Sequence, residues 1–231
     1  MTWGYPHGYP FDAQRWTHVF ELPDTDPFPD LVNKLSERAR AVLVLPDGRF
    51  AVLGEREYKD DDLFLYTRAV VLRFSADGAY LGQWTSDGSK FANDAALAGT
   101  ATSNGFALAG WCRHKGQNAI QQTCIQTFEA DAALDEIYVE PWPTQSAGLG
   151  IAEDREKRLV VAGYTTKPGQ TDAWIFASRG AGDPLAWQQG FDQGGWDFAA
   201  GVVCEPWGKC TWIGATTKNG KLTLVASQRH P

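Results

Sequence analysis

The sequence predicts an all-β fold made from four copies of one small antiparallel sheet, and three observations carry that prediction. Glycine, proline and tryptophan are abundant, at 24, 12 and 10 residues in a chain of 231. With turn signals at short intervals, this composition points to short strands rather than long helices. Four short apolar segments also end in glycine about fifty residues apart: AVLG (51–54), ALAG (107–110), VVAG (160–163) and TWIG (211–214). A fixed period of that length marks a repeat architecture.

Each segment follows a turn: PDG at 46–48, SNG at 103–105, DREK at 154–157 and PWG at 206–208. Before each turn stands another apolar run, ARAVLVL, AALAGTA, SAGLGIA or FAAGVVC. Run, turn and run make a hairpin of strands a and b in every repeat. Strand c follows a polar loop, at 69–74, 123–128, 173–178 and 222–227. An aromatic strand d follows in three repeats, at 80–84, 135–140 and 184–190. The fourth repeat reaches Pro231 after strand c. Its missing strand is expected from RWTHVFEL (15–22), because WTHVF resembles WQQGF (187–191).

Four-stranded units of this length around an axis, with the last completed by the N-terminal strand, describe a closed four-bladed β-propeller. Closure removes the open edges that make repeat arrays adhesive. The expected blades are about 38–84, 93–140, 146–190 and 197–231 plus 15–22, in one domain spanning 15–231. Residues 1–14 read as an aromatic, Gly/Pro-rich arm. Residues 23–37 interrupt the pattern, and Asp30, Leu31, Val32 and Leu35 suggest a short helix there. The competing readings are hairpins in a β-sandwich, a fragment of a larger propeller, and half a ring that dimerises.

The segments ARAVLVLPDGRFAVLG, RAVVLRFSADGAYLGQW and LAWQQGFDQGGWDFAAGVV resemble bacterial delta-sixty-type and related β-propeller repeats. The resemblance covers most of 15–231 loosely, with repeat two the most divergent. It implies a propeller in a secreted or surface-exposed setting. It implies no particular activity, because one fold hosts many functions.

A formal net charge of -7 argues against nucleic acid as the main partner, since phosphate binding needs a basic surface. No run of 18 apolar residues is present, so no helical membrane span is expected. The N-terminal segment lacks the charged and apolar regions of a signal peptide. Either the protein is cytosolic, or an extracytoplasmic location is reached with a leader outside this sequence.

Four cysteines allow three pairings. Cys204 and Cys210 flank the turn of the fourth hairpin, where repeat one has Val44 and Phe50. They are expected to face each other as a disulfide. Cys112 and Cys124 lie on adjacent strands b and c of repeat two and are expected to form a second. Buried thiols and a metal site are the alternatives, the latter disfavoured because repeats two and four are opposite in a four-bladed ring. Disulfides imply an oxidising compartment, in line with the resemblance.

Catalytic signatures such as GxSxG, HExxH and a Walker loop are absent. His7, His18, His114 and His230 are scattered. One column does stand out. Seventeen positions before the closing glycine lie Glu37, Ser146 and Asp197, and one position nearer in repeat two lies Asp94. In a propeller these line one mouth of the channel. No cofactor is required by this pattern, but three carboxylates there suit a hard cation such as Ca2+. Alternatively each caps its own turn through backbone N–H groups. The cluster Asp60, Asp61 and Asp62 lacks calcium-loop spacing and reads as a solvated loop.

The b–c and d–a loops leave one end of the sheets. They carry Tyr58, Trp111, Arg113, His114, Trp142, Tyr164, Lys167 and Trp196. Aromatic and polar groups at loop tips suit a carbohydrate or protein ligand, and equally suit packing between blades. Trp16, Trp84 and Trp187 on outer strands are expected to pack. The leading expectation is a non-enzymatic, extracytoplasmic binding or scaffold module, lectin-like in kind. The alternative is an enzyme with a carboxylate- or metal-dependent site at the channel mouth. Oligomeric state is not legible.

Overall fold

The computed structural model describes residues 33–59, 65–86, 91–114, 120–130, 134–139, 144–179, 185–218 and 221–229. The arm at 1–14, the strand expected at 15–22, Asp60 to Asp62 and Trp142 lie outside the described residues, as do His7, His18 and His230.

The described chain is all-β, in four antiparallel sheets, with no helix among the described residues. Sheet one is β1 (Asn33–Val44), β2 (Phe50–Lys59), β3 (Leu65–Phe74) and β4 (Tyr80–Thr85). Sheet two is β5 (Phe91–Ala101), β6 (Gly105–His114), β7 (Gln122–Glu129) and β8 (Leu134–Val139). Sheet three is β9 (Ser146–Glu153), β10 (Leu159–Lys167), β11 (Gln170–Ser178) and β12 (Trp187–Phe191). Sheet four is β13 (Asp197–Cys204), β14 (Cys210–Lys218) and β15 (Lys221–Arg229). In every sheet, sequence neighbours are spatial neighbours. The helix expected from Asp30, Leu31, Val32 and Leu35 is corrected at Leu35, which belongs to β1, paired with β2 from Asn33 onwards; Asp30, Leu31 and Val32 lie outside the described residues.

The repeated glycine has a structural cause. Strand a of each sheet carries a β-bulge opposite it, for example between Ala39 and Ala41 and between Ala199 and Gly201. The bulge turns a strand-a carbonyl inward. A Cβ on Gly54, Gly110, Gly163 or Gly214 would lie 2.1, 1.8, 1.9 or 2.0 Å from that oxygen. Only glycine leaves room for such an approach.

The sheets stack in sequence order. The first strand of each later sheet packs across the first three strands of the sheet before it: β5 on β1–β3, β9 on β5–β7, and β13 on β9–β11. Three apolar layers result. Leu43, Leu53, Val71, Phe106 and Phe128 fill the first. Ile125, Ile151, Val161, Trp174 and Phe176 fill the second, and Val160, Ala173, Ile175, Val202 and Trp212 fill the third. β11 shows how one strand serves two layers. Its large rings, Trp174 and Phe176, point towards sheet two, and Ala173, Ile175 and Ala177 point towards sheet four. The continuous apolar run at 173–177 reflects burial on both faces.

The cysteines divide. Cys204 and Cys210 form a disulfide across the β13–β14 hairpin, where they are direct register partners. The second expected bridge is corrected: Cys112 and Cys124 are free, buried thiols. Register is the reason. Cys112 is opposite Gln122 and Cys124 is opposite Gly110, so the two are diagonal neighbours. Diagonal positions are about 7–8 Å apart, beyond the roughly 4.4–6.8 Å Cα spacing that a disulfide spans. The pair instead shares an apolar pocket with Phe91.

Candidate functional site

The acidic column occupies equivalent register positions. Glu37 pairs with Arg56, Asp94 with Cys112, Ser146 with Thr165 and Asp197 with Thr216, each two residues beyond the closing glycine. Asp94, Ser146 and Asp197 are buried, at 1%, 0% and 0% exposure.

Their partners explain why polar groups tolerate that burial. Asp94 accepts hydrogen bonds from the Ser86 hydroxyl at 2.6 Å and the Gln126 amide at 3.4 Å. It also accepts the Ala69 backbone N–H from sheet one and lies 3.9 Å from the Arg68 guanidinium. Ser146 accepts the Thr123 N–H from sheet two at 2.8 Å. Ala69 and Thr123 are equivalent positions on strand c. Asp94 and Ser146 thus pin the starts of sheets two and three to the third strand of the preceding sheet. Asp197 accepts the Gln193 N–H at 2.7 Å and so caps the turn that leads into its own strand. Its other oxygen has no hydrogen-bond partner, nor does the Thr216 hydroxyl. Glu37 is different: it is part-exposed and ion-pairs with Arg56 within its own sheet at 2.8 Å.

Burial pushes the Asp94 carboxyl up to about 6, against the opposing pull of Ser86, Arg68 and Gln126. The same burial, reinforced by a hydrogen bond with Cys112, raises the Cys124 thiol well above its ordinary value. A thiol held protonated and enclosed is a poor nucleophile. Among the described residues no group of three or more His, Cys, Asp or Glu side chains is placed to hold a metal ion. Glu37, Asp94 and Asp197, read as potential ligands, are each held by separate protein partners.

The loop-end residues also separate. Tyr58 is buried, with its hydroxyl accepting from Arg56 at 3.1 Å. Trp111 and Arg113 are half-buried on β6, and His114 packs edge-on against Phe91. Tyr164 is half-buried and accepts from the Gln121 amide at 3.4 Å. Tyr58, His114 and Tyr164 thus make contacts within the fold. Trp196 is different, at 67% exposure. Its backbone bridges Thr171, and its N–H donates to the Thr217 hydroxyl at 2.7 Å.

Thr171 stands between two polar residues, Gln170 and Asp172. The Gln170 amide donates to Asp172 at 2.9 Å and to Asp192 at 3.2 Å. Lys167 donates to Asp172 at 2.5 Å, and this carboxylate raises the lysine's pKa. An exposed tryptophan is therefore bridged through its backbone to the strand that carries a tied amide, ammonium and carboxylate set, where sheets three and four meet. Sequence reading singled out Trp196 and Lys167 but not Gln170, Asp172 and Asp192. Their link depends on which b–c loop meets which d–a loop, and no local pattern encodes that.

The chain matches no protein-family model and no curated protein.

Proposed function

We propose that the four sheets are blades of a β-propeller of the delta-sixty-type kind, four per chain. The repeat period, the four-strand meanders and the sequential stacking support that reading. On it, the chain is a non-enzymatic, extracytoplasmic binding or scaffold module whose b–c and d–a loop end meets a carbohydrate ligand. The Cys204–Cys210 disulfide favours an oxidising compartment.

One observation carries the ligand class: Trp196 is exposed and its backbone bridges Thr171, the neighbour in sequence of Gln170 and Asp172, which with Asp192 and Lys167 form a bonded polar set. An indole face stacks on the C–H face of a sugar ring, and the neighbouring donors and acceptors match hydroxyl groups. The alternative of carboxylate catalysis loses support at Asp94, which is enclosed and committed to four structural partners.

A glycan array probed with the wild-type chain and with Trp196→Ala tests the reading. Binding to a glycan class that drops at least tenfold in the variant is expected. Wild-type binding unaffected by Trp196→Ala, or no glycan binding at all, overturns the carbohydrate assignment. In the latter case a protein partner becomes the reading to pursue.

A further inference from the structure

The internal layers define what each sheet face is built to meet. The face of a sheet that receives the next sheet uses two equivalent positions, one on strand b and one on strand c. On strand b these are Leu53, Ala109 and Ala162, exposed at 0%, 1% and 0%. On strand c they are Ala69, Thr123 and Ala173, exposed at 1%, 1% and 0%. In sheet four the same positions are Ile213 and Leu224, exposed at 58% and 84%. Leu222, on the same face, is exposed at 67%. This face carries a groove of about 440 Å³, with Phe198 and Ala215 also in its wall. A sheet face meant for water alternates with polar side chains. Here the outward positions of β15 are Leu222, Leu224 and Ala226, an apolar patch of the kind that marks an interaction surface.

The opposite end of the stack offers the matching half. Gly99, Ile151 and Val202 are equivalent on strand a, and each faces the preceding sheet; Ile151 and Val202 are buried at 6% and 9%. Sheet one has Val42 there, exposed at 63%, and Val44 two residues on, exposed at 70%. The polar pin is also divided between the ends. Asp94 and Ser146 accept the N–H groups of Ala69 and Thr123. The equivalent acceptor at the first sheet is Glu37, and the equivalent N–H at the last is that of Leu224. Within the chain β1 makes no substantial packing contact with sheet four.

We propose that the occupant of the sheet-four groove is β1 of a second copy of this chain, and that two copies close head-to-tail into one ring of eight sheets. The interface is heterologous, with different patches meeting, and its two-fold repetition closes the assembly. Val42 and Val44 of one copy enter the groove lined by Ile213, Leu222 and Leu224 of the other. Glu37 takes the Leu224 N–H of the second copy, repeating the bond that Asp94 and Ser146 make at the first two internal layers. This assignment rests on reading the sheets as blades, and not on the nature of the ligand.

Light scattering and sedimentation on the full chain test it. The wild type is expected at about twice the 25.4 kDa chain mass. Val44→Lys and Leu224→Lys are each expected to be monomeric, with unchanged far-ultraviolet circular dichroism. Mixed in equal amounts, they are expected to form a 1:1 complex, because one copy keeps an intact groove and the other an intact β1. Should either variant lose its fold, Val42→Glu and Ile213→Glu replace the pair. A dimer that persists in either variant alone overturns the head-to-tail arrangement. Open-ended polymer overturns closure by two copies. A wild-type monomer whose solution scattering fits a closed four-sheet ring overturns the second copy and leaves the blade reading intact. A monomer with an open stack overturns both.

Discussion

Sheets three and four share one strand order yet sit in opposite surroundings. β11 is buried on both faces, whereas β15 exposes Leu222, Leu224 and Ala226 on one of them. Their strand-c sequences, AWIFAS and LTLVAS, are both apolar at the positions facing the next sheet. The difference therefore lies in what covers the face and not in how the strand is coded. A face written for burial but left open is unfinished surface, and it makes sheet four the sensitive end of the molecule.

The largest expected effect comes from placing a charge on each of these equivalent faces. Ile175, at 2% exposure, lies between sheets three and four. Ile175→Asp buries an unpaired carboxylate and removes apolar contacts. A loss of more than about 4 kcal/mol is expected, enough to unfold the domain. Leu224→Asp adds the same charge at an 84% exposed site and is expected to leave the folded chain intact. Urea unfolding of the two variants at low protein concentration measures the contrast. Equal losses would mean that the sheet-four face is covered within the monomer.

Much of this architecture is written locally. The strand–turn–strand units and the closing glycines at 54, 110, 163 and 214 are sequence-visible, because a bulge needs its glycine whatever surrounds it. The register pairing of Cys204 with Cys210 is visible for the same reason, since a tight turn fixes it. Cys112 and Cys124 misled because the b–c loop between them is long, and loop length does not specify a two-residue offset. The acidic column was found, but not its purpose. Asp94 is anchored by Ser86, Ala69, Arg68 and Gln126, drawn from two strands and a loop, and only the stacking of sheets brings them together.

Asp94 supplies the next contrast, a buried internal pin against the part-exposed Glu37 at the open end. Its folded pKa of about 6 lies above the ordinary 3.8. The folded state therefore binds the proton more tightly than the unfolded state. The stability it contributes is greatest below about pH 4 and is lost as pH rises through about 6. Asp94→Asn keeps the shape without the charge. It is expected to flatten the fall in stability between pH 4 and 7. Melting curves across that range check this. A profile unchanged by the substitution would show that the carboxylate ionises freely in the fold.

The two cysteine pairs give a smaller effect. Reducing Cys204–Cys210 releases a short loop, for which chain-entropy arithmetic gives about 2 kcal/mol. A fall in Tm of several degrees is expected, confined to the fourth sheet in hydrogen exchange, because sheet three has no bridge. Thiol titration supplies a check on the register. The native oxidised protein should react slowly or not at all, and the denatured oxidised protein should release two thiols, those of Cys112 and Cys124. Finding none after denaturation would mean that the diagonal pair had oxidised.

The smallest expected stability effect is at the loop end, and it carries the most functional information. Lys167 is exposed and ion-paired with the buried Asp172. Water screens such a pair, and the lysine loses side-chain entropy on making it, so Lys167→Ala should leave Tm unchanged within error. Asp172 is also held by Gln170, which keeps the carboxylate ordered when the ammonium is gone. The ligand should still respond. Removal of Lys167 takes away the donor nearest that carboxylate while leaving Trp196 in place. A several-fold loss of glycan affinity with no change in Tm would separate recognition from scaffold at the junction of sheets three and four. Affinity that is also unchanged would confine recognition to the indole and remove the polar set from the site.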